Sequence, residues 1–195
     1  MANLIIKPTS GGSLILQDEG GTAAHTIDAS GNHTLSGTTN NIGTVTAGSI
    51  AGGSITSATT FPTGHVLQTL YDIDATSQVL ATSTYTDTDL SIAITPSSTS
   101  NKIFALWTMV AEIGANEGFG TRLLRNSTTA FTSNQVYHAY MSAAGRLNLT
   151  SMHLDSPSST SSITYKIQVG SYGGNSITLN DGTNQSFLTL MEIAG

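Results

Sequence analysis

Ile103-Phe-Ala-Leu-Trp-Thr-Met-Val-Ala-Glu-Ile113 is apolar on both faces of an extended chain. That pattern belongs to a strand buried on two sides in the middle of a sheet. On its N-terminal side, Leu90, Ile92 and Ile94 alternate with Ser91 and Ala93, and Pro96-Ser-Ser-Thr-Ser-Asn101 then breaks the strand. On its C-terminal side, Thr121 to Arg125 runs into the turn Asn126-Ser127-Thr128. Further on, Ile163, Tyr165, Ile167 and Val169 face one way while Thr164, Lys166 and Gln168 face the other. Phe187 to Ile193 reads as another buried strand, and only Gln135 to Ala144 has the texture of a short helix. Many short strands at this spacing predict an all-β domain over residues 65–195, a jelly-roll β-sandwich.

Ahead of that domain, the chain runs from Ala29 to Tyr71 without one Asp, Glu, Lys or Arg. Over the whole chain 9% of residues are charged, against about 25% in ordinary soluble domains. Ser, Thr, Gly and Asn take the place of the missing charge. A surface this neutral is expected to be hidden against copies of itself. Within residues 38–64, Val45-Thr-Ala-Gly-Ser, Ile50-Ala-Gly-Gly-Ser and Ile55-Thr-Ser-Ala-Thr share a five-residue frame that begins with an aliphatic side chain. One chain cannot bury a single aliphatic per short repeat, but three chains wound about an axis stack them inside. Val45, Ile50 and Ile55 are therefore the expected axial residues of a trimeric β-shaft. A pentapeptide solenoid needs more repeats to stand alone, and a flexible Gly/Ser linker would not need the regular Ile/Val placement.

Residues 1–37 read as a β-meander. Leu4-Ile5-Ile6 and Ser13 to Leu16 are separated by the turn Thr9-Ser-Gly-Gly12, and further short runs surround His25-Thr-Ile27 and His33-Thr-Leu35. Each run is too short to form a core alone, so this segment is expected to be a collar completed by neighbouring chains. The N-terminus shows no positive region followed by a long apolar core, so secretion through a signal peptide is not expected. No stretch is long and apolar enough to insert into a membrane. There is no cysteine, hence no disulfide or thiolate chemistry. The net charge is −6, and the six cations, Lys7, Lys102, Arg122, Arg125, Arg146 and Lys166, are scattered. Nucleic-acid binding needs them clustered.

Several segments resemble virion fibre and knob proteins of marine bacteriophages. Phe61-Pro-Thr-Gly-His65-Val-Leu-Gln68 is similar to a junction common in them, and Asp28-Ala-Ser-Gly-Asn-His-Thr-Leu-Ser-Gly37 resembles the turns of phage fibre shafts. Leu90 to Asn101, Lys102-Ile-Phe, Arg122-Leu-Leu-Arg-Asn126, Thr164-Tyr-Lys-Ile-Gln168 and Phe187-Leu-Thr-Leu-Met191 resemble the head domain that follows. The resemblance implies a homotrimer with a jelly-roll head, similar in outline to tumour-necrosis-factor-like trimers. It implies no catalytic residues and no cofactor.

The residues able to carry chemistry are few. None of His25, His33, His65, His138 and His153 stands at His-x-His or His-Glu-x-x-His spacing, so no zinc site is encoded locally. Asp72/Asp74 and Asp87/Asp89 are two i, i+2 carboxylate pairs. They would suit calcium if the pairs met or repeated about a threefold axis, though solvated strand ends are the simpler reading. Glu112 and Glu117 would suit a glycosidase pair if their carboxylates stood about 5–10 Å apart, but nothing else marks a cleft. Tyr137, His138 and Tyr140 cluster with Asn134 and Gln135, and Tyr172 lies in the Gly-rich loop Gly170 to Asn175. Rings beside amides suit sugars, which makes Asn134, Gln135, Tyr137, Tyr140 and Tyr172 candidates for glycan contact; packing at a trimer axis is the competing role.

The sequence is thus read as a non-enzymatic bacteriophage virion protein, assembled in the host cytoplasm and functioning outside it. The expected form is a homotrimeric short fibre or knob, joined to capsid or tail proteins through its N-terminal region and contacting the host surface. The alternative is a capsid decoration or cement protein (head fibre) with no receptor role. A polysaccharide-degrading spike is the remaining, enzymatic reading.

Overall fold

A computed structural model describes residues 12–17, 20–21, 23–35, 61–133 and 138–195. Val45, Ile50 and Ile55, like Asn134, Gln135 and Tyr137, lie outside the described residues. The chain divides into two compact units, Met1–Thr56 and Ser57–Gly195. Every strand pairing is antiparallel, and no helix occurs among the described residues.

In the first unit, β1 (Leu14–Gln17), β2 (Ala23–Ile27) and β3 (His33–Leu35) form a three-stranded meander. The β2–β3 turn is built on Asp28. Its Oδ1 accepts from the amides of Ser30 (2.8 Å) and Asn32 (2.9 Å), and its Oδ2 from Asn32 Nδ2 (2.8 Å). Gly31 takes the left-handed φ of 82° that the turn requires.

The second unit contains two sheets. The first carries β4 (Val66–Asp74), β5 (Gln78–Leu80), β7 (Lys102–Ile113), β11 (Gly145–Asp155), β13 (Ile177–Leu179) and β14 (Ser186–Ile193). β7 is central. β11 covers one edge of it from Ile103 to Ile113, while β14 and then β13 cover the other edge, backed by β4 and β5. The second sheet carries β6 (Thr86–Ile94), β12 (Ile163–Ser171) and β8 (Glu117–Arg125), with β9 (Thr128–Thr132) and β10 (Ala139–Met141) both lying on the far edge of β8.

One core joins the two sheets, because period-2 alternation sends one side of each strand inward. Ile103, Ala105, Trp107 and Met109 of β7 meet Leu90, Ile92 and Ile94 of β6 and Tyr165, Ile167 and Val169 of β12, all buried. Polar ties cross between the sheets. Trp107 Nε1 donates to Thr121 Oγ1 at 3.0 Å, and Asp155 of β11 accepts from Arg125 Nη1 (3.0 Å) and the Tyr165 hydroxyl (2.6 Å). Burial and Asp155 together hold the Tyr165 phenol protonated far above its ordinary range.

Two expectations need correction. The described part of the segment expected to be helical, Gln135 to Ala144, holds strand β10 instead, because Ala139, Tyr140 and Met141 pair with Phe119, Gly118 and Glu117. Tertiary pairing overrides the weak local preference. The two-sided burial expected of Ile103–Ile113 holds at Val110, which is buried on the outer side, but not in the first half of the strand. Phe104 and Leu106 point to the outer face of the six-stranded sheet and are half-buried, with no described element laid over them.

Candidate functional site

The two sheets present unlike outer surfaces. On the five-stranded sheet the outward residues are mostly polar, Leu124 and Ala93 being the apolar ones, and several are bonded to one another. Lys166 Nζ lies 2.8 Å from Asp87 Oδ2, Gln168 Nε2 donates to Asp87 Oδ1 at 2.8 Å, and Arg122 Nε donates to Thr132 Oγ1 at 2.9 Å while its guanidinium sits 4.2 Å over the Tyr85 ring. Lys166 and Gln168 hold the Asp87 carboxyl below its usual range.

The six-stranded sheet is the reverse. Register sets its outward residues in rows across β11, β7, β14 and β4: Leu154, Phe104, Met191 and Thr69; then Met152, Leu106, Thr189 and Tyr71; then Thr150, Thr108, Phe187 and Ile73. These three rows contain no charge. Tyr71 (73%), Met152 (64%), Leu154 (49%), Ile73 (47%) and Phe187 (42%) are exposed. At about 200 Å² for a whole large side chain, these five alone leave roughly 500 Å² of mostly apolar surface open, before the half-buried Phe104, Leu106 and Met191 between them. That is at the upper end of what a soluble monomer shows. It is also more than half of the ~800 Å² per partner that a stable interface covers. Charge returns at one end of the sheet, where Arg146 pairs with Asp181 and lies 3.7 Å from Glu112.

A second cluster lies where β10 meets the loop after β12. The rings of Tyr140 and Tyr172 stand edge to face with centroids 5.7 Å apart, and the Tyr140 hydroxyl is 3.4 Å from Asn116 Oδ1. Beneath them Glu117 is fully buried, its Oε1 accepting from the amides of Gly118 and Gly173, both at 2.9 Å. Burial pushes its carboxyl up, but Gly118, Gly173 and Asn175 outweigh that and leave it below the ordinary range. The carboxylate thereby ties the 172–175 loop to β8. Of the candidates for glycan contact, the fold brings together Tyr140 and Tyr172. It adds Asn116, whose contribution depends on a left-handed φ of 55°, which spacing in the sequence did not reveal.

The acidic candidates separate. Asp72 and Asp74 point inward from β4 and accept protein donors: Asp72 from the amides of Ile73 and Ser91, Asp74 from the Thr76 amide and Asn180 Nδ2. Asp87 and Asp89 point outward from β6, so the two pairs do not converge. Glu112 is exposed beside Arg146 while Glu117 is enclosed by backbone amides, so the two carboxylates do not share surroundings. A cleft of about 180 Å³ along β11, between Leu106, Phe131, His138, Thr150, Ser151 and Met152, is smaller than the roughly 300–1,000 Å³ of typical ligand pockets.

No protein-family model matches the chain, and no curated protein does. Among solved structures it is similar to the infectious bursal disease virus Gx strain, with a TM-score of 0.39 and 10% identity over 67% of this chain and 38% of that one. It is also similar to dimeric latent PorU from Porphyromonas gingivalis, with a TM-score of 0.29 and 13% identity over 69% of this chain and 14% of that one. The chain therefore spans well under half the length of either.

Proposed function

We propose that this protein is a non-enzymatic structural component of a bacteriophage virion that works as a homotrimer, a short fibre or knob contacting the host surface. The observation that carries self-assembly is the charge-free outer face of the six-stranded sheet, set against the polar outer face of its companion. Water solvates one side of the domain well, and the other needs cover.

The strand order supports a jelly roll. Taking β4, β6, β7, β8, β10, β11, β12 and β14 as strands one to eight, the sheets run one-eight-three-six and two-seven-four-five, an order that two Greek keys produce. The separate surroundings of Glu112 and Glu117 favour a structural role over glycoside cleavage, which needs two carboxylates flanking one bond. In this reading residues 1–37 are the virion-proximal collar, residues 38–64 the shaft with Val45, Ile50 and Ile55 on its axis, and residues 65–195 the head. Tyr140 and Tyr172 are its glycan contacts.

Light scattering of the full-length protein tests the assembly directly. A mass near three chains is expected for the native sequence; in the Ser57–Gly195 unit alone, which lacks the shaft, the double variant Tyr71→Lys/Met152→Lys, which places two cations on the apolar rows, should shift the mass toward one chain. A native monomer overturns the reading. Binding to intact host cells, competing with phage, separates the adhesin from a decoration protein, which would bind purified capsids instead.

A further inference from the structure

We propose that His25 and His33 form a two-imidazole chelate for a divalent late transition-metal ion of the zinc, nickel or copper type. In the β2–β3 ladder His25 lies opposite Leu35 and Ile27 opposite His33, so the two histidines are diagonal neighbours on one face of the meander. Their rings meet. His25 Nε2 is 3.1 Å from His33 Nδ1, with centroids 5.1 Å apart and planes tilted by 39°. Two nitrogens bound at about 2.0–2.1 Å to one ion, in neighbouring coordination positions, stand about 3.0–3.4 Å apart. The apo spacing is already that of two such ligands.

Without a metal, one ring donates an N–H to the other, so one ring must carry its hydrogen on the inner nitrogen. A bound ion takes both lone pairs, so the donating ring changes tautomer, its hydrogen moving through water from the inner to the outer nitrogen. His25 then carries its hydrogen on Nδ1 and His33 on Nε2. The exposed His33 and half-buried His25 leave further positions on the ion open to water. Imidazole nitrogen selects zinc, nickel and copper over calcium and magnesium, which prefer oxygen. The spacing is preorganised by the Asp28 turn, which fixes the hairpin between the two residues through three bonds to one carboxylate. The site lies wholly within one chain and does not depend on trimer formation.

Isothermal titration of chelator-stripped full-length protein with zinc chloride, then nickel chloride, tests the proposal, with magnesium chloride as control. The expected result is saturable binding of one zinc ion per chain. Affinity should fall about tenfold or more in His33→Gln and in His25→Gln and stay unchanged in His65→Gln. Nitrogen-15 spectra of the histidines in the native protein give a readout free of any folding defect in the variants. Zinc should shift His25 Nε2 and His33 Nδ1. Equal zinc affinity in His33→Gln, shifts confined to His138 or His153, or no saturable binding would each overturn the site.

Discussion

Glu192 is a single residue that holds three segments together. Buried on β14, its carboxylate accepts from the Ser97 amide (2.6 Å), Ser97 Oγ (2.9 Å), Asn101 Nδ2 (2.5 Å) and Gln68 Nε2 (2.6 Å). The Pro96–Asn101 turn and β4 are thereby fixed to the last strand. Burial pushes the Glu192 carboxyl up, but Asn101, Gln68 and Ser97 outweigh it and hold it below the ordinary glutamate value of 4.5. The folded state therefore binds this proton more weakly than the unfolded chain. The resulting stability is complete above the unfolded value and is lost as pH falls below it through the folded value. Urea midpoints should hold steady from pH 8 to about pH 5 and then decline. Glu192→Gln should lower stability at pH 7 by about 2–3 kcal/mol, because an amide nitrogen would face donors, and should flatten part of the acid decline. An unchanged acid limb in that variant would assign the decline to other carboxylates.

At the scale of elements, β10 depends on one glycine. A Cβ at Gly118 would stand 2.1 Å from the Ala139 carbonyl oxygen and 3.0 Å from Tyr140 Cα. Both are backbone atoms and cannot rotate away. Gly118→Ala should therefore displace β10 from β8, cost about 1–3 kcal/mol, and separate Tyr140 from Tyr172. Loss of the tyrosine near-ultraviolet circular dichroism together with a lower melting temperature is the expected result, whereas a native spectrum would show that the strand can shift intact. The same strand illustrates why local texture misled: Gln135 to Ala144 carries no strong strand signal, and only pairing with Glu117–Phe119 decides its conformation.

For the whole molecule, the unit Ser57–Gly195 contains both larger sheets and their shared core, so it should fold without the N-terminal meander. Expressed alone, it should give a β-rich circular dichroism spectrum and a single cooperative melt; a gradual, non-cooperative loss would mean that its stability comes from the rest of the chain. If the apolar rows are an interface, its melting temperature should rise with protein concentration, as mass action requires of an oligomer. The Tyr71→Lys/Met152→Lys variant should remove that dependence while keeping the fold, since both side chains point away from the core.

Periodicity in the sequence was enough to determine the all-β class and the inward faces of Leu90–Ile94 and Ile163–Val169, because burying one side of a pleated strand writes a period of two into the residues themselves. Composition was enough to mark a chain unusually poor in charge, with 9% of its residues charged. Which strands are neighbours was decided only by the tertiary structure. Register alone puts Met152, Leu106 and Tyr71 in one row from three distant segments, and sets His25 against His33 across a turn. It also sends Asp72/Asp74 inward and Asp87/Asp89 outward. The pairing of His25 with His33 spans a single turn, but the rows of the large sheet join residues tens of positions apart. Each depends on strand order and on the register that the turns and the core impose together, and no local window of sequence contains that information.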